Sequence, residues 1–165
     1  MNLTARDIMR TSVHVVDPDL PLRDLDREFI DKKVSGFPVV LRDKLVGIVS
    51  RSDIVRQLYV EQSLAEMVSD YYREGQGFPD EPGLTARVVA DQVGERFEQL
   101  RVKDVMIREL LTVSPQQSLR SVAQMLFGHH IHRVLVTEDE RLVGIITAMD
   151  LVRLIAEGTL QPLAE

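Results

Sequence analysis

The 165-residue chain contains no cysteine. Disulfides and thiolate metal sites are thereby excluded, and a reducing compartment suits it. Its N-terminus lacks the charged-then-apolar form of a signal peptide, and no apolar run approaches the roughly 20 residues needed to span a bilayer. A soluble, cytoplasmic protein is expected. Excess positive charge is missing too. The net charge is −6 and no large basic patch exists, so duplex nucleic acid is not an expected partner, though a small anion in a local pocket stays open. Serines are scattered, histidines cluster at one place, and no lysine or carboxylate pair stands in a motif that would make a nucleophile and its base. Catalysis is not expected.

What the chain does have is a phrase that occurs twice. Gly47-Ile48-Val49-Ser50-Arg51-Ser52-Asp53 returns as Gly144-Ile145-Ile146-Thr147-Ala148-Met149-Asp150, each preceded by Leu-Val. The copies lie 97 positions apart, and that offset aligns Thr4–Leu58 with Arg101–Ile155 without a gap. Asp7/Asp104, Met9/Met106, Pro18/Pro115, Leu22/Leu119 and Arg23/Arg120 are among 14 identities in 55 positions. Chance would give about 3, so the chain is a duplicated unit. Three segments follow: repeat one over 4–58, an insert over 59–100, and repeat two over 101–156. The insert carries nine acids against three bases, while the remainder balances 17 with 17.

Each repeat opens with Asp-Ile-Met or Asp-Val-Met. Val13–Val16 and Leu110–Val113 read as short strands, each closed by a proline two residues on. Helices follow, with apolar faces made by Leu22, Leu25, Phe29 and Ile30, and by Leu119, Val122, Leu126 and Phe127, with Ala123 adding to the second. Phe37–Leu41 with Leu45–Val49, and Val134–Val136 with Leu142–Ile146, read as hairpins about charged turns. Closing helices begin at Ser50 and Thr147. The expected fold is α/β (α+β): two pseudo-twofold-related β-α-β-β-α units with a helical insert between them, since one such unit of about 55 residues leaves a sheet face to cover. In the insert, Leu64, Met67, Val68, Tyr71 and Tyr72 mark one helical face. Gly75–Gly83 reads as a loop. Val89, Val93, Phe97 and Leu100 mark a second helix, capped by Thr85. Padding of the module or of a dimer contact is the plain role for these helices; partner binding is the other.

The repeated phrase carries the chemistry. A hydroxyl residue with an acid three places on is a capping box, which by itself stabilises a helix start by about 1 kcal/mol. The same geometry suits a ligand: the helix N-terminus and the Ser or Thr hydroxyl favour a phosphate, while the aspartate accepts from neutral hydroxyls such as those of ribose. Ser50 with Asp53 and Thr147 with Asp150 are therefore candidate nucleotide contacts. His129, His130 and His132 look like a metal cluster, but Lys32 and Lys33 align with the first two. Cations at a helix end suit its dipole without a metal, and none is expected.

Asp-Ile-Met and Asp-Val-Met, Ser-Gly-Phe-Pro-Val-Val, His-Arg-Val-Leu-Val and the two Gly-x-x-(Ser/Thr)-x-x-Asp phrases resemble cystathionine-β-synthase (CBS) domains, and the pair resembles the tandem arrangement called a Bateman module. The resemblance implies a regulatory sensor that binds an adenine nucleotide (AMP, ADP or ATP) in the cleft between repeats, without a catalytic cofactor. It implies ribose and phosphate contacts at Ser50, Asp53, Thr147 and Asp150, and a phosphate contact at His132 and Arg133. Val13 and Leu110 would line the adenine pocket. Repeat one has Ser35-Gly36 in place of His132-Arg133, so the two sites need not fill equally. A homodimer is implied, along with an effector protein that the sequence does not identify. A ligand-free interaction scaffold, and an S-adenosylmethionine or cyclic dinucleotide sensor, are the alternatives.

Overall fold

The computed structural model describes residues 3–76, 91 and 93–159, the side chains of 68–76 excepted. It divides into two compact units, one of Met1–His14, Arg42–Leu45 and Glu109–Glu165, the other of Val15–Leu41 and Val46–Arg108.

The first, here the α5–α6 unit, begins with α1 (Ala5–Ile8) and continues through β3 (Thr112–Val113), α5 (Leu119–Gly128), β4 (Arg133–Glu138), β5 (Arg141–Thr147) and α6 (Ala148–Ala156). Its sheet runs β3-β4-β5. β3 lies parallel to β4 with Thr112 opposite Leu135, and β4 is antiparallel to β5 with Arg133 opposite Thr147. Val122, Val134, Val136 and Ile146 fill the core between sheet and helices, where their burial provides the main driving force for this unit.

The second, the α2–α3 unit, contains α2 (Leu22–Lys32), β1 (Gly36–Leu41), all but the first two residues of β2 (Lys44–Ser50), α3 (Arg51–Gln76) and α4 (Val102–Val105). Phe29 and Phe37 stack at its centre, ring centroids 5.1 Å apart, with the Arg51 guanidinium over Phe29 at 5.6 Å. A further helical stretch over 93–99 brings Phe97 against this core, as Val93, Phe97 and Leu100 predict.

Each unit takes its opening from the other repeat. α1 belongs to repeat one, yet Ala5 N and Arg6 N donate to the carbonyls of Gln117 and Pro115, and Ala5 and Ile8 lie in the α5–α6 core. α4 belongs to repeat two, yet Val102 N and Lys103 N donate to Leu20 and Pro18, and Val102 lies in the α2–α3 core. This exchange explains two coincidences between the repeats. A Cβ on Gly144 would stand 2.8 Å from Met9 Sδ, and one on Gly47 would stand 2.6 Å from Met106 Sδ. The glycines are where the exchanged methionines pass close to the sheet.

Several expectations need correction. Of Val13–Val16, only Val16 is paired, in a parallel bridge to Val39, and of Leu110–Val113 only Thr112–Val113 form a strand. Outside the paired residues these segments serve as connections. Ile30 and Phe127 do not join the buried faces; they are 62% and 83% exposed. At i+8 they stand about 80° round the helix from Leu22 and Leu119, beyond the stripe that meets the sheet. Gly75 and Gln76 are the last residues of α3 and not loop. The rest of that stretch, with Thr85 and Val89, lies outside the described residues, as do the side chains of Val68, Tyr71 and Tyr72. Leu64 and Met67 are exposed.

Candidate functional site

Both copies of the repeated phrase end a strand and start a helix. In the α5–α6 unit the backbone is still extended at Thr147 and turns helical at Ala148, whose N–H donates to the His132 carbonyl at 2.9 Å. Thr147 N and Oγ1 both donate to Asp150 Oδ2, at 2.8 and 2.7 Å. The other oxygen, Oδ1, accepts from Arg10 Nε at 3.0 Å and Nη2 at 2.6 Å. Asp150 is 1% exposed. Burial raises its pKa, but the bonds from the Thr147 hydroxyl and amide and from Arg10 outweigh that and hold the carboxyl below its ordinary range. A buried, ionised carboxylate thus sits one turn inside a helix start.

The α2–α3 unit repeats half of this. Ser50 N and Oγ donate to Asp53 Oδ2 at 2.8 and 2.6 Å, and Asp53 is 3% exposed. Its Oδ1 is buried and accepts no hydrogen bond. Arg56 Nη1 lies 3.2 Å from it as an ion pair, close enough for attraction without the alignment of a bond. The Arg51 N–H donates to the Ser35 carbonyl at 3.2 Å, the counterpart of the Ala148–His132 bond.

The structure therefore joins Thr147 with Asp150 and Ser50 with Asp53, each pair within one unit. Arg133 opens β4 opposite Thr147, half-buried, and the exposed His132 precedes it, so both stand at the strand ends beside the start of α6. Val13 and Leu110 are half-buried in the connections leading to Val16 and β3, and neither enters the hydrogen-bonded clusters. Arg10 and Arg56 escaped the sequence reading. Arg56 was visible as an identity with Arg153. Arg10 was visible only as a difference, since Ile107 aligns with it.

A separate groove of about 630 Å³ lies on another face of α6, lined by Phe127, His130, His132, Leu151, Val152 and Ile155. It shares His132 with the carboxylate cluster but includes neither Thr147 nor Asp150. The aligned groove of the α2–α3 unit, about 590 Å³, is lined by Arg51, Ile54, Val55 and Leu58 and by Phe97 and Glu98 of the 93–99 stretch. Bonding geometry, and not cavity size, singles out the strand–helix junctions. Among the described residues no helix is long and apolar enough to cross a membrane.

The CBS domain family model matches residues 5–60 and 102–157. The uncharacterized protein MJ1426 of Methanocaldococcus jannaschii is 31% identical over 149 residues, covering 89% of this chain and 88% of that protein. The chain spans 40% and 44% of two longer relatives from the same organism. Among solved structures, CBSX2 in complex with AMP, a CBS domain-containing protein known from Arabidopsis thaliana, superposes with a TM-score of 0.66 at 25% identity, covering 95% of this chain and 98% of that one. The CBS domain pair of MJ0100, in complex with 5-methylthioadenosine and S-adenosyl-L-methionine, shares the fold with a TM-score of 0.62 at 18% identity, over 96% and 99% of the two chains. With both of its repeats matched and a relative of similar length at this level of identity, the chain belongs to the CBS domain family.

Proposed function

We propose that this chain is a regulatory module that binds an adenine nucleotide, AMP, ADP or ATP, at its two strand–helix junctions and transforms nothing. The observation that carries the reading is Asp150: a buried, ionised carboxylate beside a hydroxyl, a helix N-terminus and the guanidinium of Arg10, with Arg133 opposite Thr147 on the neighbouring strand. A carboxylate accepts from sugar hydroxyls, and the helix start and cations favour phosphate. The AMP complex of CBSX2, whose fold this chain shares, supports the ligand class. Val13 and Leu110 would meet the base, in keeping with their half-buried apolar side chains. We also assign the module to a homodimer formed through the exposed Phe127, Met149, Val152 and Ile155, with an effector protein reading the outcome. Ligand regulates only in so far as it favours one arrangement over another.

Titration calorimetry with AMP, ADP, ATP, S-adenosylmethionine and a cyclic dinucleotide tests the reading. Adenine nucleotides should give a saturable signal that Asp150→Ala diminishes. Uptake of S-adenosylmethionine or the cyclic dinucleotide alone would redirect the ligand assignment. The second reading, a ligand-free scaffold, is favoured by one observation: donors of the chain already engage both oxygens of Asp150. Silence across the whole panel would establish it in place of the sensor.

A further inference from the structure

The two junctions agree in what holds Oδ2 and differ in what holds Oδ1. A carboxylate offers about four acceptor sites. At Asp150 all four are engaged, two by Thr147 and two by the forked guanidinium of Arg10. At Asp53 Ser50 engages two on Oδ2, and Oδ1 is buried without a hydrogen bond. The residue aligned with Arg10 is Ile107, which has no side-chain donor. Arg56 Nη1 lies 3.2 Å from Asp53 Oδ1 without a hydrogen bond, whereas its counterpart Arg153 pairs with Glu157 at 4.0 Å. Further cations stand on the same side as Arg10. The α5–α6 junction has His132 and Arg133 beside it, where the α2–α3 junction has Ser35 and Gly36.

We propose that Arg10 is a latch that makes the Asp150 junction selective for phosphorylated ligands and leaves the Asp53 junction as the one that accepts a sugar hydroxyl with no hydrogen bond to displace. The proposal rests on the nucleotide reading above and deepens it. A ribose hydroxyl arriving at Asp53 has to move aside the exposed Arg56 side chain, which makes an ion pair but no hydrogen bond to Oδ1, and it then gives a bond to an acceptor that lacks one. A hydroxyl arriving at Asp150 has to displace two charge-assisted bonds from Arg10. The Arg10 side chain is 61% exposed and hinges on a backbone fixed by its bridge to Ile145, so it can swing away. Released, the guanidinium needs another anion. A phosphate on the same ligand supplies one and an uncharged nucleoside does not. Phosphate thus unlatches the Asp150 junction, whereas the Asp53 junction gains little from it.

The test compares adenosine with AMP by titration calorimetry on the wild type, Arg10→Ile and Ile107→Arg. Each variant carries the side chain already present at the equivalent position, so both backbone bridges, Arg10–Ile145 and Ile107–Ile48, are kept. The wild type should take up one equivalent of adenosine and two of AMP. Arg10→Ile should take up two of adenosine, its affinity at the second junction rising by about tenfold, the worth of one charge-assisted bond. Ile107→Arg should weaken adenosine at the Asp53 junction by a similar factor. Adenosine uptake that is unchanged or weaker in Arg10→Ile, in a protein that still binds AMP, overturns the latch and leaves the nucleotide reading standing. Failure of all three proteins to bind either compound overturns both.

Discussion

Asp150 shows how one side chain can brace a helix start against both a neighbouring hydroxyl and a distant arginine. Its carboxyl lies below its ordinary range in the folded state, so the stability it contributes is complete above the unfolded carboxyl pKa of about 4 and is lost as pH falls through the lower folded value. Asp150→Asn keeps the size but weakens four bonds, and should cost about 2 kcal/mol at pH 7. That deficit should shrink in urea titrations run below pH 4; a constant deficit would mean that the charge is not what matters. The glycines of the repeated phrase make a second prediction. Gly144→Ala and Gly47→Ala should each cost about 1 to 3 kcal/mol, because the methionine that passes over each has to move. Gly94→Ala serves as the contrast. Nothing lies within 4 Å of a Cβ there, and helix propensity predicts a gain of about 1 kcal/mol.

The hairpins and the insert act as whole elements. Both hairpins turn on two residues with positive φ, Arg42 and Asp43 at 50° and 68°, and Asp139 and Glu140 at 51° and 63°. That conformation suits a type I′ turn, which favours Asn-Gly, so these side chains carry strain. Arg42→Asn combined with Asp43→Gly should stabilise the protein by about 1 kcal/mol, read as a raised thermal midpoint. In the insert, Glu61 is an acid that lies inside the protein. Glu61 is 6% exposed, accepts from Gln57 Nε2 at 2.8 Å and pairs with Arg96 Nε at 3.5 Å. The pair ties the 93–99 stretch to α3 where Phe97 meets the core. Phe97 and Leu100 of the insert pack against the α2–α3 core, while Tyr59, Leu64 and Met67 are exposed.

For the molecule as a whole, the exchanged openings mean that neither repeat closes its own core. Deleting residues 1–9 removes Ala5 and Ile8 from the α5–α6 unit, although the body of that unit is repeat two. Hydrogen exchange should then quicken by about a hundredfold or more in β4 and β5, matching a loss of about 3 kcal/mol, and change less in β1 and β2. Equal acceleration in all four strands would show that the two units unfold as one. The proposed homodimer has its own check. Phe127 is 83% exposed, and Phe127→Glu should convert a dimer to a monomer in sedimentation velocity while the thermal midpoint stays close to that of the wild type.

The sequence alone determined the duplication, the helix–hairpin–helix order that both repeats share and the two hydroxyl–carboxylate pairs, because each is written in short-range spacing. Ser50 and Asp53, or Thr147 and Asp150, are three residues apart, and a helix start brings residues at that separation together wherever it occurs. Tertiary structure decided the rest. Met9 meets Gly144 and Arg10 meets Asp150 across more than a hundred residues, and no local pattern states that an opening docks on the other repeat's body. The offset comparison held a trace of it, in glycines and methionines that coincide. The difference between the two carboxylates lay in a position where the repeats disagree, and its meaning appears only once Arg10 is seen lying on Asp150.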